Sequence, residues 1–264
     1  MPDPSIEKPI IALGSWLQTP LGAHVLAWEQ ARLDALTADI FGFNAVQIGL
    51  PQLDALAASR MPNRWLSATH IPPVPIAADS DIAARVVLTH DASELPYATQ
   101  SLDLVVLPHV LEFAREPHQV LREIERVLIP EGQVIICGFN PASLWGLRQT
   151  LARACGQHFL PPNTDFIHLP RLKDWLKLLN MEVNRGHFGC YAPPVQSAPW
   201  LGHFNFMEPA GDRWWPYFGA VYIVQAIKRV HGMRLVGPVW SLQTASVAHG
   251  VPAANSVHNA DRHR

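Results

Sequence analysis

The sequence predicts an α/β protein built around a mostly parallel sheet of seven strands with helices on both faces, and three observations carry that prediction. Short apolar runs alternate with helical patterns from Ala45 to Gly138, an order that builds parallel strands joined by crossovers. Leu102 to Leu107 is apolar apart from Asp103, which suits a strand buried on both faces. Two further strand candidates, Met181 to His187 and Ala220 to Lys228, follow a pair of helices and bring the strand count to seven.

Each element has its own signal. Pro20 to Phe41 places Leu21, Val25, Leu26, Leu33, Leu36 and Ile40 mostly at helical spacing, with Glu29, Arg32 and Asp39 between them and Gly42 as a stop. Ala45 to Gly49 reads as the first strand, Leu53 to Arg60 as a helix and Trp65 to Ala68 as the second strand. His70 to Ala78 is proline-rich without a helical period, so the next crossover helix is expected to be short or missing. Arg85 to Thr89 is the third strand. Pro117 suits the first turn of a helix whose stripe is Val120, Leu121, Ile124, Val127 and Leu128, with Arg122, Glu123, Glu125 and Arg126 outside it. Pro130-Glu131-Gly132 turns the chain into the fifth strand, Gln133 to Gly138. Ser143 to Ala154 carries Leu144, Leu147 and Leu151 on one side, and Arg171 to Leu179 spaces Leu172, Trp175, Leu176 and Leu179 as one helical face.

Composition narrows the function classes. The chain has 264 residues, 48% hydrophobic and 16% charged, which suits one α/β domain with extensions or two small ones. A net charge of −2 argues against a broad nucleic-acid footprint. Cys137, Cys155 and Cys190 form no CxxC pair, so neither a disulfide framework nor a metal site is expected, and a reducing cytoplasm is the default compartment. The N-terminus lacks the pattern of a signal peptide. Trp214 to Val230 is the strongest candidate for membrane insertion, yet Pro216, Gln225 and Lys228 interrupt it before the roughly 20 apolar residues a span needs; no stable membrane association is expected. The domain reading is a helical extension over 1–41, a main domain over 42–240 and a tail over 241–264 rich in Ala, Ser, His and Asn, expected to be disordered. Residues 189–219 form a long connection whose Tyr191, Trp200, Phe204, Phe206, Trp214 and Trp215 argue for order, as a packed cap or a lid.

The most informative stretch is VLTHDASELPYATQSLDLVVLPHVLEFAREPHQVLREIERVLIPEGQVIICGFN, running up to Asn140. It closely resembles the type 11 group of class I S-adenosylmethionine-dependent methyltransferases. The resemblance covers roughly Gly42 to Arg234 and is dense between Leu88 and Gly138, while Trp16 to Gly22 and Trp214 to Trp240 look particular to a small bacterial subgroup. It implies the Rossmann-like class I methyltransferase fold, in which the closing strands form an antiparallel hairpin. It implies S-adenosylmethionine as cofactor, bound at the carboxyl ends of the parallel strands.

The resemblance also names residues. The glycine-rich loop of the family corresponds to Val46-Gln47-Ile48-Gly49-Leu50-Pro51, so Gln47, Gly49 and Leu50 are expected at the methionine part of the cofactor. Gln47 stands where the family has an acid, and Pro51 stands where it has a second glycine; an ordinary strand and turn is the competing reading. The ribose carboxylate has no counterpart between Ser67 and His70, leaving Thr69 or Ser67 as weaker donors, or a plain strand end. Asp91 and the Ala92 backbone match the adenine contacts, with a local Asp cap as the alternative. Leu107 and Pro108 match the wall after the fourth strand. His109 matches a frequent family histidine near the transferred methyl group, where it would relay an acceptor proton; a packing or capping histidine is the other reading. Phe113 departs from a second family histidine.

The function expected is methyl transfer from S-adenosylmethionine to a small-molecule acceptor. The alternative is a catalytically silent relative that keeps the fold as a binding or scaffold module. No nucleophile and no metal ligands are needed for an in-line displacement on a cofactor that carries its own reactive group.

Overall fold

The computed structural model describes residues 13–68, 86–89, 92–156, 159–160, 165–194, 201, 203–204 and 206–230. The expectations for Thr69, the proline-rich segment 70–78, His90, Asp91, Trp200 and the tail 241–264 fall outside them.

Helix α1, Pro20–Ala38, begins where Thr19 accepts the Gly22 N–H at 3.1 Å and Pro20 presets the first turn. It buries Leu21, Val25, Leu33 and Leu36 against the sheet, together with one charged residue, Glu29. Strands β1 (Asn44–Ile48), β2 (Asn63–Ala68), β3 (Val86–Thr89) and β4 (Leu102–Pro108) follow. Then come α2 (Pro117–Val127), β5 (Leu128–Phe139), α3 (Leu144–Ala154) and α4 (Leu169–Leu178). The last elements are β6 (Met181–Gly189), α5 (Met207–Trp214) and β7 (Val221–Lys228).

The seven strands form one sheet in the order β3-β2-β1-β4-β5-β7-β6. Strands β1 to β5 pair in parallel, and β7 runs antiparallel between β5 and β6. The strand order reverses between β1 and β4, so their carboxyl ends mark the place where open α/β sheets take ligands. Alternate residues feed two cores. Leu104, Val106, Ile135, Cys137 and Ile223 face the α1 side, and Val105, Leu107, Val134, Ile136 and Val224 face the α2 and α4 side. The near-continuous apolar run of β4 is therefore buried on both faces.

Asp103 anchors the sheet entrance, accepting from the Phe43 and Asn44 N–H groups at 3.1 and 2.9 Å. The Pro130 turn appears as an excursion within β5: Leu102 pairs Leu128 while Leu104 already pairs Gln133, with Glu131 left-handed at φ 63°.

One expectation is corrected. Leu53 to Arg60 is a run of turns, not a helix, because its peptide groups bond three residues back or to a side chain. The Gln47 amide takes the Leu53 carbonyl, which a helix would have bonded to Ala57, and accepts the Ala55 N–H as well. In α3 the three leucines share one side as expected, and that side is the exposed one. Trp145 and Gln149 are its buried face, while Leu144, Leu147 and Leu151 point to solvent, between 54% and 61% exposed.

Candidate functional site

The loop after β1 is held from beneath by one side chain. Gln47, buried in the strand, donates to the carbonyls of Gly49, Leu50 and Leu53 at 3.2, 3.0 and 2.7 Å and accepts from Ala55 N–H at 2.9 Å. Gly49 and Leu50 both adopt positive φ, 79° and 43°. At Gly49 a Cβ would stand 2.9 Å from Val110 Cγ2, so both the backbone angle and the close approach call for glycine. The expected roles of Gln47, Gly49 and Leu50 thus meet different geometry. Gly49 keeps the bare backbone a cofactor loop needs. Gln47 has both ends of its amide engaged by the loop. Leu50 and Pro51 turn their side chains into protein, Leu50 being 3% exposed.

At the carboxyl end of β2, Ser67 is buried beside Tyr97 from the loop after β3, whose phenol is pushed up by burial and partly pulled back by the serine. That loop is clamped by α2. Arg126 donates to the Leu95 and Tyr97 carbonyls at 2.9 and 3.0 Å and pairs with Glu123 at 2.8 Å, while Glu123 accepts from the Leu95 N–H at 3.3 Å. The Arg126 hydrogen bond pulls the Glu123 carboxyl below its usual range. The Glu123–Arg126 pair lies on the polar face of α2, outside its apolar stripe, and it also fixes the approach to the β3 edge. Ala92 lies in this loop with its methyl group buried.

The end of β4 holds a cluster that the sequence did not announce. His109 is left-handed at φ 56°, costing about 1–2 kcal/mol for a residue with a Cβ, and its N–H continues the sheet to the Cys137 carbonyl at 3.1 Å. Its Nε2 faces Glu29 Oε1 at 2.7 Å and its Nδ1 faces Glu112 Oε2 at 2.8 Å. All three side chains are excluded from solvent. Burial opposes charge on the imidazole, yet the Glu29 and Glu112 carboxylates outweigh it and push the His109 pKa up to about 10. The imidazolium is the form that lets both nitrogens donate. Burial raises the Glu112 carboxyl, and His109 and the Phe139 N–H, 2.5 Å from Oε1, pull it back. Phe139 also lies against the His109 ring, centroids 4.4 Å apart.

His109 has no ring nitrogen left for an acceptor, and 1% of its surface meets solvent. The packing reading is the one the geometry supports, with the addition that the residue carries charge. Leu107 and Pro108 precede it, both buried. Glu29 was missed although its position carried the signal: Val25, Glu29 and Leu33 fall on one helical face, and all three are fully buried.

Among the described residues, no group of His, Cys, Asp or Glu is arranged to hold a metal ion, and no helix is long and apolar enough to cross a membrane. Cys137, Cys155 and Cys190 are free thiols.

Tested against S-adenosylmethionine, the edge fits in part. The left-handed Gly49–Leu50 turn, braced by Gln47, suits backbone contact with an amino acid group. Among the described residues the β2 end offers no carboxylate for a ribose, and its serine hydroxyl lies beside Tyr97.

Comparison with known proteins agrees with the architecture. Residues 66–136, from β2 to β5, match the family described as "Methyltransferase domain". The uncharacterized protein YafS of Escherichia coli (strain K12) is 29% identical over 228 residues, covering 85% of this chain and 84% of that protein. Among solved structures, a chain from the complex of the Haloferax volcanii Trm112 methyltransferase activator with a methyltransferase superposes with a TM-score of 0.57 at 15% identity. The match covers 84% of this chain and 97% of that one. A S-adenosylmethionine-dependent methyltransferase of Thermotoga maritima gives 0.54 at 15% identity, over 78% and 92%. At such identities the structural matches speak for the fold.

Proposed function

We propose, from the premise that this chain is a class I methyltransferase-fold protein whose central segment belongs to the type 11 methyltransferase-domain family, that it transfers a methyl group from S-adenosylmethionine to a small-molecule acceptor. The observation that carries the reading is the family match over residues 66–136, which includes β4, one of the two strands that flank the switch-point crevice.

In this reading the backbone at Gly49 and Leu50 takes the amino acid part, Asp91 and the Ala92 N–H take the purine, and Leu107 and Pro108 form the wall beneath. Ser67 and Thr69 are the ribose-side donors. The bound cofactor supplies a methyl group on a sulfonium, ready for displacement. The protein's contribution is alignment, which alone can be worth roughly 7–11 kcal/mol. His109 serves as a positioning residue: with Glu29 and Glu112 it ties α1, the end of β4 and the end of β5 into one rigid edge. The acceptor proton leaves without it. Three free cysteines suit a reducing cytoplasm.

A second reading, a catalytically silent relative, is favoured by one observation: both ends of the Gln47 amide are engaged by the loop at a position where the family holds cofactor. Thermal unfolding with S-adenosylhomocysteine separates the two. A ligand at a hundred times its Kd stabilises the fold by about 2.7 kcal/mol, so the enzyme shifts by several degrees and the silent relative not at all.

A further inference from the structure

A cavity of about 620 Å³ opens beside the carboxyl end of β5, between α3 and the connection from β6 to β7. Its described walls include Pro141, Trp145, Leu147, Tyr191, Trp215 and Phe218, with no charged side chain among its described lining. The size is ordinary for a small-molecule site. Its chemistry is not, because its polar side chains are already bound to protein. Ser143 Oγ donates to the Asn140 carbonyl at 2.7 Å and accepts the Gly146 N–H at 3.1 Å. Thr150 Oγ1 donates to the Gly146 carbonyl at 2.8 Å. The Trp145 indole N–H donates to the Ala192 carbonyl, and the Tyr191 hydroxyl to the Pro216 carbonyl, each at 2.8 Å. Burial keeps the Cys190 thiol protonated. A polar molecule entering here would lose its water and find these side chains already partnered, whereas an apolar one gains apolar contact with the walls.

The mouth continues the pattern. Leu144 and Leu147 line the cavity, and Leu151 extends the same face of α3 one turn further; all three are more than half exposed. Across the opening stand Trp215 and Phe218, with Trp214 and Tyr217 beside them, all exposed. Such an apolar track on a surface marks a binding site more often than chance. A compact planar ligand would use the hollow and leave the leucine track unused; an extended chain uses both.

We propose that the cavity and the leucine track bind the hydrocarbon chain of an amphiphile. This rests on the methyltransferase reading only in one respect, that the amphiphile is the methyl acceptor. Strand β5 neighbours β4, which neighbours β1. At about 4.8 Å per strand, a chain anchored over β5 leaves its polar end about 10 Å from the β1 loop.

The test uses the full chain without cofactor and a series of linear fatty acids from six to sixteen carbons, displacing the fluorescent polyene cis-parinaric acid. Saturable displacement is expected, with Kd falling roughly threefold to fourfold per added methylene until the site is filled. Leu144→Asp with Leu147→Asp, both at exposed positions, should weaken binding at least tenfold without moving Tm. Flotation with phosphatidylcholine vesicles assigns the chain to a bilayer lipid, and binding of dispersed fatty acid without flotation assigns it to a free amphiphile. A Kd independent of chain length, or binding unchanged in the double variant, overturns the proposal. A chain that binds while S-adenosylhomocysteine does not leaves the site standing and removes the transferase reading alone.

Discussion

Glu29 on α1 meets His109 at the end of β4 at 2.7 Å, joining residues 80 apart in the sequence inside a volume closed to solvent. With Glu112 on the other ring nitrogen, the contact ties the first helix to the edge where a ligand would sit.

Removing one member of this cluster should be costly. Breaking a buried ion pair typically costs about 3–5 kcal/mol because the remaining charge loses its partner. Glu29→Ala is expected to lose that much in urea denaturation. Glu29→Gln, which keeps an acceptor oxygen toward Nε2, should lose less. Both variants within about 0.5 kcal/mol of the parent would mean that the contact does not hold the fold.

The cluster also sets a pH dependence. The folded His109 pKa is raised to about 10, so its contribution is complete below the unfolded value of about 6.5 and fades as pH climbs toward 10. The Glu112 carboxyl is raised as well, and its share has the same sign, being lost as pH rises through its raised value. Tm should fall between pH 7 and pH 10, and His109→Gln should flatten that fall. A Tm that rises over the interval contradicts the assignment.

Gln47 is expected to act on the loop, locally. Gln47→Ala leaves the Leu53 carbonyl and the Ala55 N–H without their partner, about 1–3 kcal/mol for each buried group. Amide exchange at Ala55 should accelerate strongly while exchange in β4 changes little. Unchanged protection at Ala55 would show that the loop holds itself.

Arg126→Ala should separate stability from binding. Its pairing with Glu123 is partly exposed and worth under about 1 kcal/mol, whereas its bonds to Leu95 and Tyr97 fix the loop that follows the proposed adenine position. Urea denaturation should move by less than about 1 kcal/mol, and the Kd for S-adenosylhomocysteine should rise several-fold. Equal binding in parent and variant would detach the clamp from function.

What the sequence made legible follows from how locally each feature is encoded. Leu102 to Leu107 and the Val120, Leu121, Ile124, Val127 stripe each state their burial in their own spacing, and the structure buries them. The helix expected over 53–60 fails because its apolar residues say nothing about Gln47, whose amide takes backbone groups from another element. His109 was legible at the end of β4 while its surroundings were not, since its partners are Glu29, 80 residues earlier, and Glu112. The exposed face of α3 misleads for the opposite reason: Leu144, Leu147 and Leu151 have helical spacing without a core to face.

The most direct measurement is equilibrium dialysis of the full chain against methyl-labelled S-adenosylmethionine, with Asp91→Ala alongside. Saturable binding to one site in the parent, weakened at least tenfold by Asp91→Ala in a variant of unchanged Tm, is the predicted result. No saturable binding at millimolar cofactor would contradict it, leaving a methyltransferase fold that does not bind the methyl donor.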